Sequence, residues 1–110
     1  RQMCIRDRYV GVYFDVANVL RTGYPEHWIR ILGTRILRVH FKDFRVSVGT
    51  VSGFVDMLDG DVDFLAVAAA LRAVGYDGWI TAELPARPLF PEGRIYAASR
   101  NIERIWQTVG

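Results

Sequence analysis

The sequence lacks most of the features that mark secreted, membrane or nucleotide-binding proteins. Its 110 residues include one cysteine, Cys4, so an internal disulfide framework is excluded and a reducing, cytoplasmic compartment is favoured. No apolar run approaches the roughly 20 residues that span a bilayer, so we expect no membrane partner. A glycine-rich phosphate loop is also lacking. Cys4, Ser52 and Ser99 have no neighbouring base in a suitable arrangement, so nucleophilic catalysis has no support.

Charge of one sign is also scarce, because the formal net charge is only +2. The chain has no stripe of lysine and arginine interleaved with aromatic residues, so we expect no nucleic-acid partner. With 51% hydrophobic and 24% charged residues, the composition is that of a globular protein.

The sequence predicts a short N-terminal segment that is not part of the fold, followed by one domain. Residues 1–8 show no periodicity and no turn chemistry, and we interpret them as a non-native remnant of the kind that a translated sequencing adapter leaves. Residues 9–110 are interpreted as one partial domain.

Three short apolar segments predict strands at residues 9–14, 36–41 and 79–82. Helical patterns follow each of them, so the order is strand, helix, strand, helix, strand, helix. This alternation is typical of an α/β fold with parallel strands. Three such units are too few for a closed eight-stranded barrel and would leave two open sheet edges.

The segment between the second strand and the next helix is unusually long. Residues 42–60 exceed the usual length of a connection, and we predict a short helix within residues 51–58. Asp63 is expected to cap the following helix. The three tryptophans, Trp28, Trp79 and Trp106, lie at positions that predict packing in the core.

Each predicted strand ends at a residue that can bind a metal ion. Asp15 and Glu83 directly follow the first and third strands, and His40 lies at the end of the second. Because neighbouring parallel strands are about 4.8 Å apart, their ends can converge on one ion. Two carboxylates and one imidazole suit Mn²⁺, Mg²⁺, Co²⁺ or Zn²⁺. Each residue alone could equally be a loop cap or a structural side chain, but the three together predict a metal site.

Four further polar residues lie next to these strand ends. Lys42 could approach an anionic substrate, and Asp43 could orient His40 or Lys42 from behind the metal ligand. A surface ion pair explains the same two residues equally well. Arg45 could bind a phosphate or a hydroxyl, or stay solvated. Asn18 could bind a sugar hydroxyl, or stabilise its own turn.

The order of these motifs resembles the C-terminal portion of the xylose isomerase-like sugar isomerase/epimerase superfamily. Within it, the likeness is greatest to sugar phosphate isomerases and epimerases of the ribulose- and hexulose-phosphate type. The motifs that carry the resemblance are residues 13–18, 38–43, 60–64, 75–78 and 82–83.

The resemblance implies the last three βα units of a (β/α)₈ TIM barrel, and therefore an incomplete barrel in this chain. It implies a divalent metal, Mn²⁺ first, held by Asp15, His40, Glu83 and a glutamate from an earlier strand that this chain does not contain. Asn18 takes the place of a substrate-contacting histidine in the family.

The implied reaction is isomerisation or epimerisation of a ketose or ketose phosphate through an enediolate. Glu83 would be one of two acid/base carboxylates, and Lys42 and Arg45 would contact the phosphate or distal hydroxyls. The implied partner is a small sugar or sugar phosphate, and the complete protein is a candidate homo-oligomer. The 110 residues alone are expected to be inactive.

Three alternatives stay open at this point. An apurinic endonuclease on the same barrel would need further zinc ligands, and residues 44–62 contain no histidine. A dehydratase or an aldose–ketose isomerase would use the same residues. A non-catalytic fragment or binding module is the third.

Overall fold

Strands and helices alternate along the chain as the sequence predicts. A computed structural model describes residues 11–85 and 91–110. The predicted remnant at residues 1–8 lies outside the described residues, and the boundary at residue 9 stays a prediction. The elements are, in chain order, β1 (Val12–Asp15), α1 (Pro25–Leu32), β2 (Ile36–Phe41), β3 (Asp43–Phe44), β4 (Phe54–Val55), α2 (Phe64–Ala73), β5 (Ile80–Ala82) and α3 (Pro91–Val109).

Three of the strands form a parallel sheet in the order β1, β2, β5. Each strand therefore pairs with the next long strand along the chain. In this register Asp15 lies opposite His40, and His40 lies opposite Thr81. The carboxyl ends of the three strands are thus level with one another.

The helices cover one face of this sheet. Side chains alternate along β2, so Val39 and Phe41 are buried on the helix side while Arg38 and His40 belong to the opposite face. α2 packs beside both α1 and α3. None of the helices in the described part of the chain is long and apolar enough to cross a membrane. The core joins Phe14, Val39 and Phe41 of the sheet to Ile29 of α1 and to Phe64, Val67 and Leu71 of α2.

The helix ends follow the expected local chemistry. Asp63 caps α2, because its side chain accepts a hydrogen bond from the Ala66 N–H at 3.0 Å. Pro25 begins α1, where a missing N–H costs nothing. Gly33 ends α1 with φ of 56°, a backbone angle that a side chain disfavours. The predicted N-cap is confirmed.

The predicted short helix within residues 51–58 is wrong. Only a single 3-10 turn forms, at Val51–Gly53, and it leads into β4, which pairs antiparallel with β3. The rings of Phe44 and Phe54 face each other across this hairpin with centroids 4.8 Å apart. Pairing of two aromatic side chains across strands therefore outweighs the local helical tendency.

The expectation that all three tryptophans pack in the core is wrong for two of them. The side chain of Trp79 is 73% exposed and that of Trp28 is 39% exposed. Trp106 is half-buried beneath the guanidinium of Arg72, which lies 4.2 Å from its ring centroid. Trp79 precedes β5, which is an edge strand of the sheet, so no neighbouring strand covers it.

We expect the purified 110-residue chain to self-associate or to unfold at low denaturant concentration. The sheet leaves Tyr13, Leu37 and Trp79 more than half exposed, and β1 and β5 both have open edges. Size-exclusion chromatography with light scattering and thermal circular dichroism would measure this. A monomer with one cooperative melting transition would contradict the expectation.

Candidate metal centre

Three side chains at the carboxyl ends of β1, β2 and β5 meet in one place. Asp15 and His40 are direct partners in the parallel register. Glu83 follows β5, and its N–H donates to the carbonyl of Phe41 at 3.0 Å, which extends the pairing of β5 with β2 by one step. One ligand atom from each of Asp15, His40 and Glu83 lies within 4.8 Å of the others. The predicted convergence is therefore present in the structure.

The separations of these atoms suit a shared cation. His40 Nδ1 lies 3.1 Å from Glu83 Oε2 and 3.8 Å from Asp15 Oδ2. Two ligands about 2.1 Å from one ion, at angles of about 90° or more, are about 3.0 to 4.2 Å apart. Both distances fall in that interval. An imidazole and two carboxylates are also the donor set that first-row divalent ions accept, so these residues fit the metal that the sequence predicts.

The loop after β1 fixes the orientation of Asp15. Its Oδ1 accepts the backbone N–H groups of Ala17 and Asn18, both at 3.0 Å. The other oxygen, Oδ2, is left to face His40 and Lys42. Asn18 therefore contributes through its main chain, while the residue itself is exposed. A role for its side chain in substrate binding stays a prediction.

Lys42 lies between the two carboxylates. It is the only lysine in the chain. Its Nζ is 3.4 Å from Asp15 Oδ2 and 3.7 Å from Glu83 Oε1, and it lies over the ring of Phe54 at 4.3 Å from the centroid. The side chain is only 14% exposed. The β3–β4 hairpin thus places the Phe54 ring against an ammonium that also lies close to both carboxylates.

The structure does not bring Asp43 to His40 or Lys42, and the prediction that it orients either of them is wrong. Along a strand, side chains point alternately to opposite faces, so Asp43 points away from the face that carries His40 and Lys42. Its carboxylate is fully buried. It accepts the backbone N–H groups of Phe44, Leu58, Gly60 and Val62, at distances between 2.9 and 3.1 Å.

Asp43 therefore organises the long connection. Four N–H donors reach one carboxylate from positions up to 19 residues away in the sequence. A Cβ on Gly60 would lie 2.4 Å from Asp43 Oδ1, so only glycine allows this approach. The Asp43 carboxylate thus stabilises the connection after β2, because it accepts backbone N–H groups that would otherwise need other hydrogen-bond partners.

The side chain of Arg45 also binds this connection. Its Nε donates to the carbonyl of Asp59 at 2.8 Å, and the residue is exposed. Among the described residues, the side chain of Arg45 hydrogen-bonds this loop and none of the three metal-binding candidates. Phosphate binding by Arg45 stays a prediction.

Two contacts at the site were not expected from the sequence. Tyr13 Oη lies 2.6 Å from His40 Nε2. The alternation of side chains could have indicated this contact, because Tyr13 is two residues before Asp15 and shares its face of the sheet. The second contact is the pairing of Arg94 with Asp56. No local sequence pattern predicts it, because the two residues are 38 positions apart.

Arg94 joins three segments around the site. Its Nε donates to both carboxylate oxygens of Asp56, at 3.2 and 3.1 Å, and a terminal nitrogen donates to the Pro85 carbonyl at 2.8 Å. These hydrogen bonds to Asp56 raise the pKa of Arg94 above its ordinary value, so it stays charged. The connection, the segment after Glu83 and the first turn of α3 are thus tied together.

A cavity in the described part of the chain lies away from these side chains. A groove of about 600 Å³ lies between the start of β5 and α3, and its lining includes Trp79, Ile102 and Trp106. None of Asp15, His40 and Glu83 lines it. This groove is therefore separate from the candidate metal centre at the carboxyl ends of the strands.

A family model described as xylose isomerase-like TIM barrel matches residues 4–105 of this sequence. The chain belongs to the xylose isomerase-like TIM barrel family. The predicted fold class is thereby confirmed: the three βα units are part of a TIM barrel and do not close into one. Among curated protein sequences, none matches the chain.

Solved structures with the same fold belong to proteins that are longer than this chain. A D-tagatose 3-epimerase-like protein is 20% identical with a TM-score of 0.72, over 90% of this chain and 35% of its own. A xylose isomerase domain protein from Alicyclobacillus acidocaldarius subsp. acidocaldarius is 23% identical with a TM-score of 0.77, over 91% and 38%. An L-ribulose 3-epimerase is 20% identical with a TM-score of 0.67, over 90% and 37%. The chain spans little more than a third of these xylose isomerase-like barrels.

We expect Asp43→Asn, in a full-length barrel that carries this chain, to lower the free energy of unfolding by about 2 to 4 kcal/mol. The amide would place an NH₂ group against backbone N–H donors that now share a carboxylate. Urea unfolding monitored by circular dichroism measures the change. Asp77→Asn, at an exposed turn, is the matched control and should change it by less than about 0.5 kcal/mol. Equal effects of the two variants would contradict the anchoring role.

Proposed function

We propose that this chain supplies most of the metal-binding and acid/base side chains of a sugar isomerase or epimerase that acts on a ketose or ketose phosphate. One observation carries the proposal: Asp15, His40 and Glu83 converge within 4.8 Å at the carboxyl ends of three adjacent parallel strands. Membership of the xylose isomerase-like family supports it. The epimerases among the structural relatives support it as well. Because they are only 20% identical to this chain, their similarity supports the fold and does not identify the substrate.

The residues of this chain divide the work by position. Asp15 and His40 would hold the metal together with one oxygen of Glu83, and a glutamate from an earlier strand of the complete barrel would be the fourth ligand. A bound divalent cation, Mn²⁺ before Mg²⁺, Co²⁺ or Zn²⁺, would polarise the substrate carbonyl and stabilise the negative charge that develops when the neighbouring proton leaves.

Glu83 is the proposed acid/base residue. Its Oε2 faces His40 Nδ1 at 3.1 Å, whereas its Oε1 is on the side of Lys42 at 3.7 Å. These two distances support a division in which one oxygen would bind the metal and the other would exchange a proton. The side chain is about half exposed in this chain, so a substrate can reach it. In the proposed reaction Glu83 accepts or returns the proton at the carbon next to the carbonyl.

Lys42 is the proposed contact for the substrate oxygens. Its ammonium is fixed by two carboxylates and by the Phe54 ring, so its position is set before a substrate arrives. Such a fixed cation stabilises negative charge without reorganisation. Arg45 and Asn18 lie in the loops that follow β3 and β1, and we propose them as further contacts for distal hydroxyls or a phosphate.

Replacement of Glu83 by glutamine should abolish turnover while the fold is kept. The amide has nearly the shape of the carboxylate but cannot accept the substrate proton, and we expect a loss of at least about 10³-fold in kcat. A full-length barrel that carries this chain would be assayed for epimerisation of ketoses and ketose phosphates in the presence of Mn²⁺.

Glu103→Gln, on the exposed side of α3, is the matched control and should leave turnover unchanged. Full activity of the Glu83→Gln variant would refute the acid/base role. Nicking of abasic DNA without any epimerase activity would overturn the proposed function in favour of a nuclease.

Lys42→Met should tighten metal binding and weaken catalysis at the same time. Removal of the ammonium next to Asp15 and Glu83 takes away an electrostatic repulsion of the cation that solvent screens only in part, because the lysine side chain is 14% exposed. Turnover should fall because the substrate loses its fixed cation. Isothermal titration with Mn²⁺ and steady-state kinetics measure the two effects.

Lys42→Arg keeps the charge and is the control for this pair of measurements. It should bind Mn²⁺ with the affinity of the unaltered protein. If Lys42→Met weakened metal binding, the ammonium would be a support of the site rather than a competitor of the cation.

A further inference from the structure

The imidazole of His40 is held on both of its nitrogens. Nδ1 faces the carboxylates of Glu83 and Asp15 at 3.1 and 3.8 Å. Nε2 lies 2.6 Å from the hydroxyl oxygen of Tyr13. The two rings also meet edge to face, with centroids 4.4 Å apart and an interplanar angle of 71°. Tyr13 therefore contacts the ring of His40 edge to face and is the partner of the nitrogen that points away from the carboxylates.

The strand register makes this contact a property of the sheet. Tyr13 and Asp15 are alternate residues of β1 and share one face, and His40 is the partner of Asp15 on β2. The tyrosine hydroxyl thus approaches the imidazole from the side of the sheet that carries Asp15, one step nearer the amino end of β1. No sequence motif or family feature described above assigns a role to this residue.

We propose that Tyr13 is a positioning residue that serves both protonation patterns of His40, an inference that rests on the proposed metal site. Without a metal, the Nδ1–H tautomer would direct its hydrogen toward Glu83 Oε2, 3.1 Å away, and the tyrosine O–H would donate to the bare Nε2. With a cation on the Nδ1 side, the hydrogen would be on Nε2 and would be donated to the tyrosine oxygen. A hydroxyl can rotate to do either, because it is both a donor and an acceptor.

The choice of a neutral partner follows from the charges already present. Asp15 and Glu83 are two acidic groups within 4.8 Å of the imidazole nitrogen. In many metal sites the second nitrogen of the imidazole donates to a carboxylate. Here such a carboxylate would add a third negative charge, and it could accept a hydrogen bond but not donate one. Tyr13 positions the ring without adding a further carboxylate, and among the described residues Lys42 is a cation that faces both acids.

The test uses Tyr13→Phe in a full-length barrel that carries this chain. The phenyl ring keeps the edge-to-face contact, and only the hydroxyl is lost. We expect the affinity for Mn²⁺, measured by titration followed by electron paramagnetic resonance, to fall by about 10- to 100-fold, the range found when such outer partners are removed. Thermal stability without metal should change little.

Tyr24→Phe is the matched control. Tyr24 also packs edge-on against a histidine, His27, with centroids 5.1 Å apart, but it lies at the start of α1 and is 63% exposed. Its variant should bind Mn²⁺ as the unaltered protein does. Equal affinities of Tyr13→Phe and the unaltered protein would overturn the inference and leave the proposed function intact.

A second measurement follows the hydrogen on Nε2 of His40 directly. In the zinc-loaded protein, nuclear magnetic resonance should show a slowly exchanging imidazole Nε2–H of His40, and the Tyr13→Phe variant should lose this protection from exchange. A rapidly exchanging Nε2–H in the unaltered, zinc-loaded protein would overturn the inference as well. If the unaltered protein bound neither Mn²⁺ nor Zn²⁺, both the inference and the proposed metal site would fall.

Discussion

The site depends on the parallel register of β1, β2 and β5. Parallel hydrogen bonding keeps the three strands in step, so that their carboxyl ends are level and Asp15 lies directly opposite His40. A shift of one residue in β2 would turn His40 toward the helices and bring Val39 to the site. The burial of Phe14, Val39 and Phe41 against the helices prevents such a shift. The hydrophobic core thereby determines which polar atoms meet.

Alternation of side chains within one short segment separates the candidate site from the residues that shape the connection. His40 and Lys42 point into the face that carries the carboxylates, whereas Phe41 and Asp43 point the other way. Lys42 reaches Asp15 and Glu83, while Asp43 gathers backbone N–H groups from the connection. Neighbouring charged residues thus have unrelated partners. The two roles are nevertheless linked, because the connection that Asp43 shapes contains Phe54, and Phe54 supports Lys42.

The sequence predicts the elements that depend on local chemistry and on periodicity. The strands that end at Asp15, His40 and Glu83, the cap at Asp63 and the order of βα units all follow from patterns a few residues long. The hairpin of β3 and β4 could not be predicted in this way, because the contact of Phe44 with Phe54 joins residues that are separated by a turn. The same holds for Asp43, whose partners at Gly60 and Val62 are distant in the sequence.

The candidate site shows the same division. Asp15, His40 and Glu83 are visible in the sequence because each directly ends an apolar strand. Their neighbours are not, since the pairing of Tyr13 with His40 and of Arg94 with Asp56 depends on the packed fold. Exposure of Trp79 was also hidden, because the sequence does not say which strand lies at an edge.

The order of strands in the sheet has a consequence for how such a site assembles. Because β1, β2 and β5 are neighbours in the same order as in the chain, the three candidate ligands meet through connections that lie wholly within this segment. Long-range pairings slow folding through the entropy of closing large loops. Asp15, His40 and Glu83 can therefore come together within this segment, without the closure of a loop that runs through any other part of a longer barrel.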